Sequence, residues 1–187
     1  MDAFYETLDT LREYDITPFG AGENLAEAAA PYIAEIGDVK IAFFASNQIL
    51  PAVSWRAGDA SPGQLVSKDP NNLGALADGI LAAKETCDFV IVDMHCGIER
   101  DTLPNSVQNT TARILIDLGA DIVIGAHPHV VQSFEMYNGK PIAYSLGNFI
   151  FNSRNPQTLL LLITIEHGGK ITLEAVPCKM AGTLTYM

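Results

Sequence analysis

Two apolar runs, Phe89-Val90-Ile91-Val92 and Ile122-Val123-Ile124, each pass directly into a histidine-bearing segment. Short runs rich in branched residues read as buried strands. Between them, residues 106 to 118 read as a helix, and a strand, helix, strand order pairs the two strands in parallel. That order confines the chain to the α/β or α+β classes. It also places the chemistry, because open parallel sheets collect their sites at the carboxyl ends of strands. The first run continues into Asp93-Met94-His95-Cys96-Gly97-Ile98-Glu99, and the second into Gly125-Ala126-His127-Pro128-His129-Val130. Three of the chain's four histidines thus stand at two strand ends. Neutral imidazole is a common transition-metal ligand, so His95, His127 and His129 are the candidate metal ligands.

Each candidate has a plainer reading. A histidine at a strand end is often a hydrogen-bonded structural residue, and residues i and i+2 share a face only while the chain stays extended. Pro128 favours an extended His127, which would keep the two rings together. Asp93 reads either as a carboxylate holding an imidazole tautomer or as a buried acid capping the next loop. Cys96 has no basic neighbour in sequence to lower its pKa and is not read as a nucleophile. His167, beside Gly168-Gly169, reads as a solvated turn residue.

Three blocks carry a family resemblance: His95-x-Gly97-x-Glu99, Gly119 to Gln132 with His127-Pro128-His129 at its centre, and Gly139-Lys140-Pro141-Ile142-Ala143-Tyr144-Ser145-Leu146-Gly147-Asn148-Phe149. In this order and spacing they resemble the back half of the capsule-synthesis protein A (CapA) family, the poly-gamma-glutamate biosynthesis proteins, which belong with the calcineurin-like metallophosphoesterases. The resemblance implies an α/β metallophosphoesterase sandwich, with His95, His127 and His129 among the ligands of a two-metal centre that takes Mn, Fe or Zn. It puts Glu99 near the metal pocket, although an exposed loop carboxylate beside Arg100 reads equally well. Ser145 and Asn148 would orient a ligand loop or touch substrate, or else Gly147 and Asn148 simply form a tight turn with left-handed backbone.

The family's front motifs, a strand ending in Gly-Asp and an Asn-Asn-His-x-x-Asp block, are not found. The segment Met1-Asp2-Ala3-Phe4-Tyr5-Glu6-Thr7-Leu8-Asp9-Thr10-Leu11 resembles the helix that follows the second of these. The expectation is therefore one incomplete metallophosphoesterase-like domain over residues 1–187, lacking its amino-terminal strands. Its function would resemble that of a two-metal phosphoester hydrolase of capsule or poly-gamma-glutamate biosynthesis, impaired in this chain. The alternatives are a non-catalytic component of a polymer-synthesis assembly and an inactive fragment. Expected partners are subunits of such an assembly or a second copy of the chain.

Composition limits the remaining classes. A formal net charge of -11 argues against nucleic-acid or anionic-membrane binding, which needs clustered Lys and Arg. The three cysteines, Cys87, Cys96 and Cys178, are unclustered and read as free thiols. No apolar run approaches the ~20 residues of a spanning helix, so the chain as written is expected in the cytoplasm, whereas family members are often anchored and face outward.

The rest of the layout follows from local signals. Phe4, Leu8 and Leu11 recur at helical spacing. Asn24 suits the N-cap of a short helix, and residues 32–36 and 39–45 read as a hairpin across Gly37-Asp38. Residues 48 to 70, with three prolines and no periodicity, read as a site-bordering loop. Asn71 or Asn72 would cap a helix over 73–85 with Leu73, Leu76, Ile80 and Leu81 on its buried face. The remainder, 131–137 with 141–145 and 159–166 with 171–176, reads as antiparallel hairpins.

Overall fold

The structure, a computed structural model, describes residues 2–151, 157–166, 170–182 and 184–187. The turn assigned to His167 lies outside them. The chain runs through α1 (Asp2–Glu13), β1 (Ala21–Gly22), α2 (Leu25–Ala28), β2 (Tyr32–Ile36), β3 (Val39–Asn47), β4 (Gly63–Gln64), α3 (Pro70–Thr86) and β5 (Phe89–His95). It continues through α4 (Ser106–Leu118), β6 (Ile122–Ala126), β7 (Phe134–Tyr137), β8 (Lys140–Ala143), β9 (Gln157–Ile165), β10 (Ile171–Ala181) and β11 (Leu184–Tyr186). The α/β class expected from the sequence is observed.

The main sheet has the order β2-β3-β5-β6-β8-β7, and a second sheet the order β11-β10-β9. Strands β3, β5, β6 and β8 run parallel, with β2 and β7 antiparallel at the edges. The hairpin of β7 and β8 is therefore not a separate antiparallel unit, because β8 joins β6 in parallel and extends the main sheet.

Alternation along β5 explains the layering. Val90, Val92 and Met94 point to one face and are fully buried among Leu76 and Ile80 of α3 and Ala112 and Leu115 of α4. Phe89 and Ile91 point to the other, against Ile163, Ile165, Ile171 and Leu173 of the second sheet. A strand apolar on both faces must be covered on both, which accounts for the unbroken apolar run in the sequence. Asp93 and His95 share the second-sheet face by the same period of two.

Two helix details differ from expectation. The N-cap of α3 is Asp69, whose carboxylate accepts from the backbone of Asn71 and Asn72, with Pro70 in the first turn. Proline suits that position because its missing N–H has no partner there anyway. Asn72 is instead buried at 2% exposure, accepting from Val66 N–H and donating to Ala57 O. Leu81 is 52% exposed, since the inward stripe of α3 runs through Asn72, Leu76, Ile80 and Ala83. Helix α4 begins with a capping box: Asn105 accepts from Gln108 N–H, and the Gln108 side chain accepts from Asn105 N–H.

Candidate metal centre

The strand register sets the site. Asn47 of β3 lies level with His95 of β5, and His95 with Ala126 of β6, so three carboxyl ends finish on one line. His127 is the next residue. Cys96 N–H donates to Ala126 O at 3.0 Å and Gln48 N–H to His95 O at 2.9 Å, which fastens the ends together. Gly125 lets the next chain in: a Cβ there would collide with the Tyr144 carbonyl oxygen.

Beyond Ala126 the backbone is not extended, contrary to the expectation drawn from Pro128. His127 has φ +101° and His129 φ +59°, both in a region that L side chains rarely adopt. Conformations of this kind cost roughly 1–3 kcal/mol each and persist where their surroundings enforce them. Here Arg100 N–H grips Pro128 O at 2.7 Å, and Val131 bridges to Leu146.

The tight turn still gathers the rings. His95 Nε2 lies 3.1 Å from His127 Nδ1, with ring centroids 4.9 Å apart. The His127 and His129 centroids are 6.0 Å apart. Phe151 stacks on His129, with centroids 5.4 Å apart. His129 Nδ1 is 2.6 Å from Asn148 Oδ1; because an amide oxygen only accepts, the ring donates its Nδ1–H and keeps a lone pair on Nε2. The Asn148 Nδ2 group is buried and has no hydrogen-bond partner among the described residues.

Electrostatics favour the neutral form of two rings, His95 and His127. His95 is exposed, yet desolvation by the surrounding protein, then the charges of His127 and His129, hold it below the usual imidazole range. Burial does the same to His127, where Glu99 opposes and His129 and Lys68 reinforce it. Neutral imidazole is the form that binds metal. Two nitrogens on one zinc ion, each about 2.0–2.1 Å from it in a tetrahedral arrangement, lie about 3.3 Å apart, so the spacing of the His95 and His127 nitrogens fits a ligand pair. Among the described residues, no three His, Cys, Asp or Glu side chains are grouped so as to hold a metal ion, so His95 and His127 come together as a pair that His129 does not complete as a trio.

The other expected residues divide. Glu99 stands in the loop after β5, close enough for its charge to act on His127. Asp93 makes no bond to an imidazole among the described residues; the tautomer partner in this cluster is Asn148, for His129. Asp93 is exposed rather than the buried acid expected, and it lines a cavity of about 330 Å³ with Ile124, Phe149 and Leu159, where the surrounding protein desolvates its carboxyl and pushes it above the ordinary carboxylate range. The Ser145 hydroxyl accepts Gly147 N–H at 3.3 Å within its own turn, and the residue is 1% exposed. In that turn only Gly147 has positive φ, which leaves the Asn148 side chain for His129. Cys96 is fully buried, its thiol pushed up by burial to about 12, so it is no nucleophile.

Sequence reasoning gave no role to Lys68, Phe151, Gln108 or Gln132. Lys68 lies in the 48–70 loop, and its charge reaches His127, consistent with a loop that borders the site. Only Gln108 carried a readable signal, as the fourth residue of Asn105-x-x-Gln108.

Comparison with known proteins gives the family. Residues 1–153 match the family described as "Bacterial capsule synthesis protein PGA_cap". The chain is 31% identical over 178 residues to "Capsule biosynthesis protein CapA" of Bacillus anthracis, covering 94% of this chain and 43% of that protein. It is 33% identical over 176 residues to "PGA biosynthesis protein CapA" of Bacillus subtilis, covering 92% and 45%. It is 29% identical over 195 residues to "Probable polyglutamine synthesis accessory protein Rv0574c" of Mycobacterium tuberculosis, covering 94% and 51%. The chain therefore spans about half the length of these relatives or less. Among solved structures, Haemophilus influenzae NAD nucleotidase (NadN) overlaps 80% of this chain and 30% of its own, at 12% identity and a TM-score of 0.48, a likeness that does not bear on function. The family match covers most of the sequence, including all three histidines of the cluster, and the chain belongs to the bacterial capsule synthesis PGA_cap family.

Proposed function

We propose that this chain supplies the histidine half of a divalent-metal centre of the calcineurin-like metallophosphoesterase type, in a protein of capsule or poly-gamma-glutamate biosynthesis. The observation that carries the reading is the 3.1 Å approach of His95 Nε2 to His127 Nδ1, with His129 beside them and its tautomer held by Asn148. His95, His127 and His129 are the proposed ligands, and the imidazole set suits Zn, Mn or Fe. A divalent ion held there supplies Lewis-acid chemistry and acidifies water near neutral pH.

The chain's own groups would do the rest. Asn148 keeps the His129 Nε2 lone pair available. Glu99 places a carboxylate beside His127, and Lys68 brings positive charge to an otherwise acidic molecule, which favours an anionic substrate such as a phosphoester. A partner segment or subunit would complete the ligand set.

A second reading, a non-catalytic component of a polymer-synthesis assembly, draws on the incomplete ligand set and on the word "accessory" in the name of the mycobacterial relative. Hydrolysis of p-nitrophenyl phosphate by the chain, with and without added Mn2+, separates the two. The hydrolase reading predicts slow turnover that requires metal and disappears in His95→Ala. Metal binding without turnover favours the accessory reading, and turnover unchanged in His95→Ala contradicts the site.

A further inference from the structure

We propose that Gln132, working through Gln108, is a positioning residue that locks the three loops of the histidine cluster in register. This rests on the reading of that cluster as a metal half-site. Gln132 is 3% exposed and lies three residues beyond His129. Its side-chain oxygen accepts from Gln108 Nε2 at 2.8 Å, and its Nε2 donates to the carbonyl of Asp101 at 2.8 Å. Its backbone N–H donates to Ser145 O at 3.0 Å.

Those three bonds reach three different places. Asp101 belongs to the loop after β5 that carries Glu99 and, through Arg100, holds Pro128. Ser145 opens the turn whose Asn148 holds His129. Gln108 is the third residue of α4, fully buried, with its oxygen already bound to Asn105 N–H. Gly97, two residues after His95, makes room for this amide: a Cβ there would stand 2.8 Å from Gln108 Cδ. One buried residue therefore ties the segments holding His95, His127, His129 and Asn148 to a helix end.

The direction of the relay is unambiguous. Asn105 N–H can only donate, which fixes the Gln108 oxygen toward it and the Gln108 amide group toward Gln132. The Asp101 carbonyl can only accept, which fixes Gln132 the other way round. Both amides are oriented from opposite ends by backbone groups, so the relay can only form with the loop after β5 and the segment after His129 in place, while the turn of Ser145 is held by the Gln132 backbone. A side chain buried merely to fill space would not need this. The positive φ values at Arg100, His127 and His129 lie in the segments it holds, where strain requires an enforcing surround.

Gln132→Met keeps the length and apolar volume of the side chain but removes both of its hydrogen bonds. In metal-free chain, NMR cross-relaxation between the His95 and His127 rings reports their contact; in chain titrated with Co2+, visible absorption reports affinity. The proposal predicts that Gln132→Met weakens the ring-to-ring signal and raises the Co2+ dissociation constant about 10–100-fold, the usual scale for losing a residue that orients ligands. Gln132→Glu, which keeps the bond from Gln108 and loses that to Asp101, should fall between and stands in if Gln132→Met does not fold. Asp121→Asn, remote from the cluster, should lower the melting temperature without moving either signal. Unchanged ring contacts in a folded Gln132 variant overturn the proposal. If the unaltered chain binds no Co2+, the metal reading fails, and the ring contacts still decide whether Gln132 positions them.

Discussion

Strand β6 has a polar cluster at each end, and the two are built on opposite principles. At the amino end, Asp121 is 3% exposed and its carboxylate accepts from Lys84 Nζ, Lys140 Nζ and Val90 N–H. Burial pushes that carboxyl up, but the bonds from Lys140, Val90 and Lys84 outweigh it and hold it below the ordinary range. At the carboxyl end, six residues on, His127 and His129 sit at positive φ, and among the described residues Asn148 Nδ2 has no hydrogen-bond partner. One end closes every bond and stabilises the sheet. The other keeps backbone strain and an unpaired donor.

Breaking the satisfied end should have the largest effect. Asp121→Ala leaves two half-exposed lysines facing each other and the Val90 N–H unpaired, so a loss of about 2–4 kcal/mol in urea denaturation is expected, with the histidine ring contacts intact. A loss under about 0.5 kcal/mol would show that the clasp is ornamental.

Next comes the tautomer lock. Asn148→Leu should leave stability nearly unchanged and weaken metal affinity about 10–100-fold, with NMR showing His129 exchanging between tautomers. Unaltered affinity would remove Asn148 from the account.

Smaller and opposite in sign is relief of strain. His127→Gly should leave stability unchanged or raise it by up to about 1 kcal/mol, because glycine accepts φ +101° freely and this offsets its greater freedom in the unfolded chain. A clear loss of stability would mean that the histidine stabilises the turn it strains.

The smallest effect is on pH. Both His95 and His127 are held below the unfolded value of 6.5, so on acidification the unfolded chain takes up protons first. Stability should be flat above about pH 7 and fall as the pH drops through 6.5. Asp93, raised in the folded state, acts in the opposite sense, its stabilising contribution growing as the pH falls toward 3.8. Urea midpoints at pH 7.5 and 5.5 check this, and the difference should shrink in a His95→Ala/His127→Ala variant.

How much of this was legible in the sequence follows from the range of the interactions. The buried strands, the parallel pair and the histidines at adjacent strand ends could be read because apolar periodicity and strand order are local. Asp69 capping α3 was missed in favour of Asn71 or Asn72, since several acceptors stood within two residues and only tertiary packing, with Asn72 drawn inward to Val66 and Ala57, decides among them. The turn at His127 was read as extended from the Pro128 effect alone, and the bond from Arg100, distant in sequence, overrides it. Gln132 closes a block that resembles the family, but nothing local gives it a role, because its side-chain partners lie 24 and 31 residues away.

The strained end of β6 and the end of β5 are proposed to hold metal together. Elemental mass spectrometry of the purified chain after equilibration with Zn2+ or Mn2+ tests it directly, alongside a His127→Ala/His129→Ala variant. The account predicts bound metal in the unaltered chain and its loss in the variant, with the fold retained by circular dichroism. Equal metal content in the two, or none in either at millimolar metal, would contradict it.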